Sequence, residues 1–147
     1  MQEKLPIGIF DSGFGGLSVA KSIHNLLPKE DLLYVADSAF TPYGDMQEIH
    51  IVERAILISD FLINKKHSKA IVVACNTATA FSVNVLRERF NVPIIGMEPA
   101  VKPAIKVTLN NKVGVLATSG TSKSAKFSAL LEKYSGAVKF FIQPCPG

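Results

Sequence analysis

The sequence predicts an α/β protein built on a doubly wound parallel sheet. Three observations carry this expectation. Hydrophobic period switches between strand-like and helix-like along the whole chain. The strand-like runs are short, apolar and rich in Val and Ile, as buried parallel strands are. Hydrophobic residues make up 48% and charged residues 19%, with a mean hydropathy of +0.26, which suits a sheet covered on both faces.

The elements follow in order. "LPIGIF" (5–10) reads as a buried strand. "GLSVAKSIHNLL" (16–27) is a helix ended by Pro28, and "LLYVA" (32–36) a strand. "MQEIHIVERAILISDFLINKK" (46–66) is a long amphipathic helix, and "AIVVA" (70–74) a strand. "TATAFSVNVLRERF" (77–90) is a helix and "VPIIGM" (92–97) a strand. "PAVKPAIKVTL" (99–109) is a short helix with Pro103 near its start. "KVGVLA" (112–117) is a strand, "TSKSAKFSALLEKY" (121–134) a helix, and "AVKFFIQ" (137–143) the last strand.

A boundary is expected near Gly96–Glu98, dividing a first lobe (1–97) from a second (98–147). The charge changes there. The first part carries nine basic and ten acidic side chains, the second seven lysines and two glutamates. Those lysines are scattered, without interleaved aromatics, so solvated helix faces explain them better than a nucleic-acid patch. The chain stops at "FIQPCPG", where a covering helix is due, so the second lobe is expected to be incomplete. No apolar run reaches the roughly 18 residues of a membrane span. The start shows no secretory h-region, and two distant cysteines are no disulfide framework. A cytoplasmic protein is expected.

In open α/β sheets, ligands bind beyond the carboxyl ends of the strands. Here those ends read "DSGFGG" with Asp11 and Ser12, then "DSAFTPYGD" with Pro42, Tyr43 and Gly44. "CNTA" follows with Cys75, Asn76 and Thr77, then Glu98, then "TSGT" with Thr118 and Thr121. Small hydroxyl, amide and carboxyl groups at helix starts suit a carboxylate or phosphate. For any one of them, helix capping is the simpler explanation. Capping accounts less well for Cys75 and for "TPYG". "GFGGLS" has Ser18 where a dinucleotide fingerprint needs glycine, and "GVLATSGTSKS" lacks the Gly-Lys-Ser/Thr of a P-loop.

Cys75 carries the most chemistry. A helix start lowers a thiol pKa, so a nucleophile and a general base are both open to it. His24, His50 and His67 all fall outside the strand-end loops, which disfavours a Cys-His hydrolase. No Cys/His spacing matches a metal site. A thiolate that accepts a proton beside a bound anion is left.

Taken together, "IGIFDSGFGGLSV", "YVADSAFTPYGD", "IVVACNTATA", "VPIIGMEPAVKPA" and "VGVLATSGT" resemble the cofactor-independent glutamate racemases of the aspartate/glutamate racemase superfamily. The resemblance implies a two-domain enzyme that interconverts L- and D-glutamate without pyridoxal phosphate or other cofactor. The resemblance also implies a role in supplying D-glutamate for peptidoglycan and the cell wall. Two thiols flank the substrate α-carbon, and Cys75 would be the first. Asp11 would assist its proton transfer. Ser12, Asn76, Thr77 and the Pro42-Tyr43-Gly44 loop would hold the carboxylates and ammonium, with Thr118 and Thr121 from the second lobe. The family's second cysteine lies in a "GCTH"-like motif that this sequence lacks, and Cys145 is expected to be structural or incidental. A non-catalytic module that binds an amino acid, one that self-associates as a homo-oligomer, and an aspartate or hydantoin racemase relative stay open as alternatives.

Overall fold

The computed structural model describes residues 5–145. Its first sheet contains β1 (Ile7–Asp11), β2 (Leu32–Ala36), β3 (Ala70–Val73) and β4 (Ile94–Gly96). All pairs are parallel and the order is β2-β1-β3-β4. The chain therefore leaves β1 in one direction and later returns to its other side. That reversal makes β1/β3 the topological switch point, where open α/β sheets place their ligand crevice.

Helices α1 (Leu17–Leu26), α2 (Glu48–Asp60) and α3 (Asn76–Arg89) connect these strands. Strand side chains alternate between the two faces. Phe10, Ile71, Val73 and Ile94 pack with Ile51, Ala55, Ile58 and Leu62 of the α2 segment and Ala78, Val83 and Leu86 of α3. Ile7, Ile9 and Val72 point the other way, toward Val19, Ala20 and Ile23 of α1. The second face is the thinner layer, since α1 has no fully buried residue.

A second, two-stranded parallel sheet pairs β5 (Lys112–Ala117) with β6 (Lys139–Pro144). Helix α4 (Val101–Val107) precedes it, and α5 (Ser119–Lys123) and α6 (Ala125–Glu132) join its strands. Parallel sheets are ordinarily buried on both faces. Here Val113 is buried, whereas Leu116, Phe141 and Ile142 are exposed.

Three expectations are refined. The long helix is regular only to Asp60 and ends in a π-helical turn, Phe61–Lys65. The helix at 121–134 is two helices, because Ser124 is extended and its hydroxyl accepts the Phe127 N–H, starting α6 afresh. The strands form two sheets, joined through residues 97–111, which include α4.

The unequal cover of the two sheets sets how substitutions act. Ile71→Ala, in a fully buried site, should lower unfolding free energy by about 2–5 kcal/mol. Leu109→Ala, at a fully exposed position, should stay within about 0.5 kcal/mol of the parent in the same urea titration.

Candidate active site

Parallel pairing of β1 with β3 aligns Phe10 with Val73, so both strands end at one edge. Asp11 and Ser12 follow on one side, Cys75 and Asn76 on the other. A tight loop closes beneath them. The Asp11 carboxylate accepts the Ser12 N–H at 2.8 Å through Oδ1 and the Gly16 N–H at 2.8 Å through Oδ2. Gly16 permits this close approach, since a Cβ there would lie 2.8 Å from the Ala74 Cβ and 2.9 Å from the Asp11 Cβ. The Tyr34 hydroxyl donates to the Gly13 carbonyl at 3.0 Å. Burial, then the nearby Asp11 carboxylate, push its pKa up to about 12.

Cys75 is the N-cap of α3. Its sulfur accepts the Ala78 N–H at 3.3 Å, so this junction is capped by a thiol where Ser or Asp is usual. The thiol also donates to Ser12 Oγ over 3.6 Å. Cys75 is buried, and that burial raises its pKa. The Ala78 N–H and the Ser12 hydroxyl pull it down, while the Asp11 charge pushes it up. The net direction is upward. A helix start by itself suggests the opposite, and desolvation outweighs it here.

Facing this edge is α5. Thr118 caps it, with Oγ1 accepting the Thr121 N–H at 3.2 Å. Thr77 Oγ1 lies 3.0 Å from Thr118 Oγ1 and 3.1 Å from Thr121 Oγ1, and the latter two are 3.0 Å apart. These hydroxyls form a closed triangle across the seam between α3 and α5.

The cleft at the seam measures about 790 Å³, within the range of small-molecule pockets. Asp11, Ser12, Cys75, Asn76, Thr77, Thr118 and Thr121 all line it, with Glu98. The Pro42-Tyr43-Gly44 turn is not part of that lining. Tyr43 is buried in the core, and Gly44 backs onto Thr118, where an added Cβ would lie 2.7 Å from the Thr118 Cβ. His24, His50 and His67 are absent from the lining, as is Cys145, which is exposed. Among the described residues no His/Cys/Asp/Glu cluster could hold a metal.

Behind the turn lies a group that sequence patterning does not single out. Arg54, on α2, donates to both oxygens of Asp37, Nε to Oδ2 at 2.8 Å and Nη2 to Oδ1 at 2.7 Å. The Tyr43 hydroxyl adds a third bond to Oδ2 at 2.6 Å. Burial alone would raise the Asp37 pKa, but the Arg54 and Tyr43 hydrogen bonds and the Arg54 charge hold it below the ordinary value. The Arg54 guanidinium also stacks 3.9 Å from the Phe40 ring centre. Seen in sequence, Arg54 is one more charge on an amphipathic helix.

The thiol's environment gives a pH dependence. A raised pKa keeps Cys75 neutral until the pH passes an ordinary thiol's value. In a Cys145→Ser chain, iodoacetamide alkylation of Cys75 should therefore rise with a midpoint above that of a free cysteine peptide. A midpoint below the peptide's would contradict the dominance of burial.

A family model described as Asp/Glu/Hydantoin racemase matches residues 7–144. The glutamate racemase of Ectopseudomonas mendocina is 55% identical over 147 residues, covering 99% of this chain and 56% of that protein. Among solved structures, Escherichia coli glutamate racemase in complex with L-glutamate and the activator UDP-MurNAc-ala superposes with a TM-score of 0.88 at 39% identity. It covers 95% of this chain and 53% of its own. The Francisella tularensis glutamate racemase in complex with D-glutamate gives 0.79 at 34% identity, covering 97% and 53%. The chain thus spans about half the length of the relatives it matches. With a matching model over nearly its whole length, the chain belongs to the Asp/Glu/hydantoin racemase family.

Proposed function

We propose that this chain carries the first-thiol half of a glutamate racemase site, divided into a first lobe (1–97) and the beginning of a second (98–147). One observation carries the proposal: a buried, helix-capping thiol stands at the switch point beside Asp11 and Ser12, on the wall of a polar cleft. The relatives solved with L-glutamate and with D-glutamate supply the substrate class.

The substrate's carboxylates are held by donors from both lobes: Ser12, Asn76 and Thr77 on one side, Thr118 and Thr121 on the other. The Pro42-Tyr43-Gly44 turn contributes by backing Thr118. Asp11 faces the ammonium. Arrival of that cation offsets the desolvation that keeps the thiol neutral and favours the thiolate, the thiol's own proton passing to solvent water before the chemical step. The Cys75 sulfur then takes the α-proton, forming an S–H bond as the C–H bond breaks. The electron pair stays on the α-carbon, delocalised into its carboxylate and stabilised by preorganised donors in a partly dry cleft. Inversion needs an acid on the opposite face. The described residues lining the cleft include no second thiol, and Cys145 lies outside the lining. We assign that acid to the portion of the longer relatives that this chain does not match. The uncovered β5–β6 faces fit the same division. In the full-length setting the product is D-glutamate for peptidoglycan and cell-shape maintenance, in the cytoplasm and without a cofactor.

Deuterium wash-in tests this reading. In D₂O the chain should exchange the α-proton of one glutamate enantiomer with retention, and Cys75→Ala should lower exchange at least about a hundredfold. Glutamate bound without exchange would leave only an amino-acid-binding module. Full racemisation that survives Cys145→Ala would contradict the single-thiol assignment.

A further inference from the structure

Three hydrogen bonds converge on one buried carboxylate that does not line the cleft. Asp37 follows β2 and is 7% exposed. Its partners come from two directions: Arg54 from α2 and Tyr43 from the turn after the cis Thr41–Pro42 peptide. An ion pair by itself is weak evidence for stability, because desolvation offsets the attraction. What stands out is what this one holds. Tyr43 is 1% exposed, its ring fixed in the core and its hydroxyl fixed on Asp37. The next residue, Gly44, lies so close to Thr118 that an added Cβ would fall 2.8 Å from the Thr118 Cγ2. Gly120, in the same α5 turn, abuts the Gly44 carbonyl, 3.2 Å from where its own Cβ would sit. Thr118 in turn anchors the hydroxyl triangle with Thr77 and Thr121. A continuous packed path therefore runs from the guanidinium to the cleft wall. Its links are hydrogen bonds, chain neighbours and the close backbone approach of Gly44 to Thr118.

We propose that Arg54 is a positioning residue: with Asp37 and the Tyr43 hydroxyl it fixes the Tyr43–Gly44 turn, and through that turn sets Thr118 and Thr121 of the second lobe against Thr77. It acts on the cleft only through these intermediaries. The proposal deepens the glutamate-site reading and rests on it for the ligand. The guanidinium's geometry matters as well as its charge, since only a planar fork engages both Asp37 oxygens while stacking on Phe40.

The test uses the 147-residue chain with two variants expected to fold. Tyr43→Phe keeps the ring and removes the hydroxyl. Arg54→Lys keeps the charge and removes the fork. Glu53→Gln, exposed on the same helix, is the control. Backbone amide spectra and glutamate titrations are recorded for each. Both variants should move the amide resonances of Gly44, Thr118 and Thr121, and should weaken glutamate binding roughly tenfold. The control should do neither. Unmoved Thr118 and Thr121 resonances in both variants would overturn the proposal. So would full rescue by lysine, which would reduce the pair to its charge. Moved resonances with unchanged affinity would equally overturn it, since the path would not reach the cleft. If the parent chain binds no glutamate, the functional reading fails, and the amide shifts alone still decide whether the path exists.

Discussion

The parallel pairing of β1 with β3 is the constraint on which the rest depends. Its register sets Phe10 opposite Val73 and so brings two unrelated loops to one edge. Without it, Asp11 and Cys75 are 64 positions apart in a chain and nothing more. With it, the Cys75 thiol reaches Ser12 Oγ, and Asp11 is held beneath by the Ser12 and Gly16 amides. Two buried layers secure the register, one from α2 and α3 and a thinner one from α1. The candidate site is the carboxyl edge of that pairing, and α5 adds the facing wall.

The edge combines opposed demands. Burial protects the thiol from water but raises its pKa, and the nearby Asp11 charge raises it further. The Ala78 amide and the Ser12 hydroxyl compensate only in part. Such a thiol is a poor base until a cation arrives. An amino-acid ammonium is a cation of the right kind, so the resting chemistry and the proposed substrate are matched. The hydroxyl triangle follows similar logic. Thr77, Thr118 and Thr121 satisfy one another across the seam and are the same groups that would turn toward a carboxylate.

Much of this is legible in the sequence. Each strand is announced by a short apolar run, and the strand-end residues Asp11, Ser12, Cys75, Asn76, Thr77, Thr118 and Thr121 do line one cleft. The motifs also resemble those of the family to which the chain belongs. Other features depend on three-dimensional order. Alternating strands and helices do not reveal that β1 is central. The break at Ser124 hides in a helical pattern because serine serves equally as a surface residue and a cap. Arg54 is invisible because its partner, Asp37, lies 17 positions away in the loop after β2. The direction of the Cys75 pKa is hidden for a similar reason: helix starts are local, whereas desolvation is set by everything packed around the sulfur.

The central claim is that an amino acid binds at the β1/β3 edge against the α5 wall. Titrating L-glutamate into the isotope-labelled chain and following its backbone amides tests this most directly. We expect the largest shifts at Ser12, Asn76, Thr77, Thr118 and Thr121, saturating together with one affinity. Shifts confined to exposed lysines such as Lys102, Lys112 and Lys139, or none at millimolar glutamate, would contradict it.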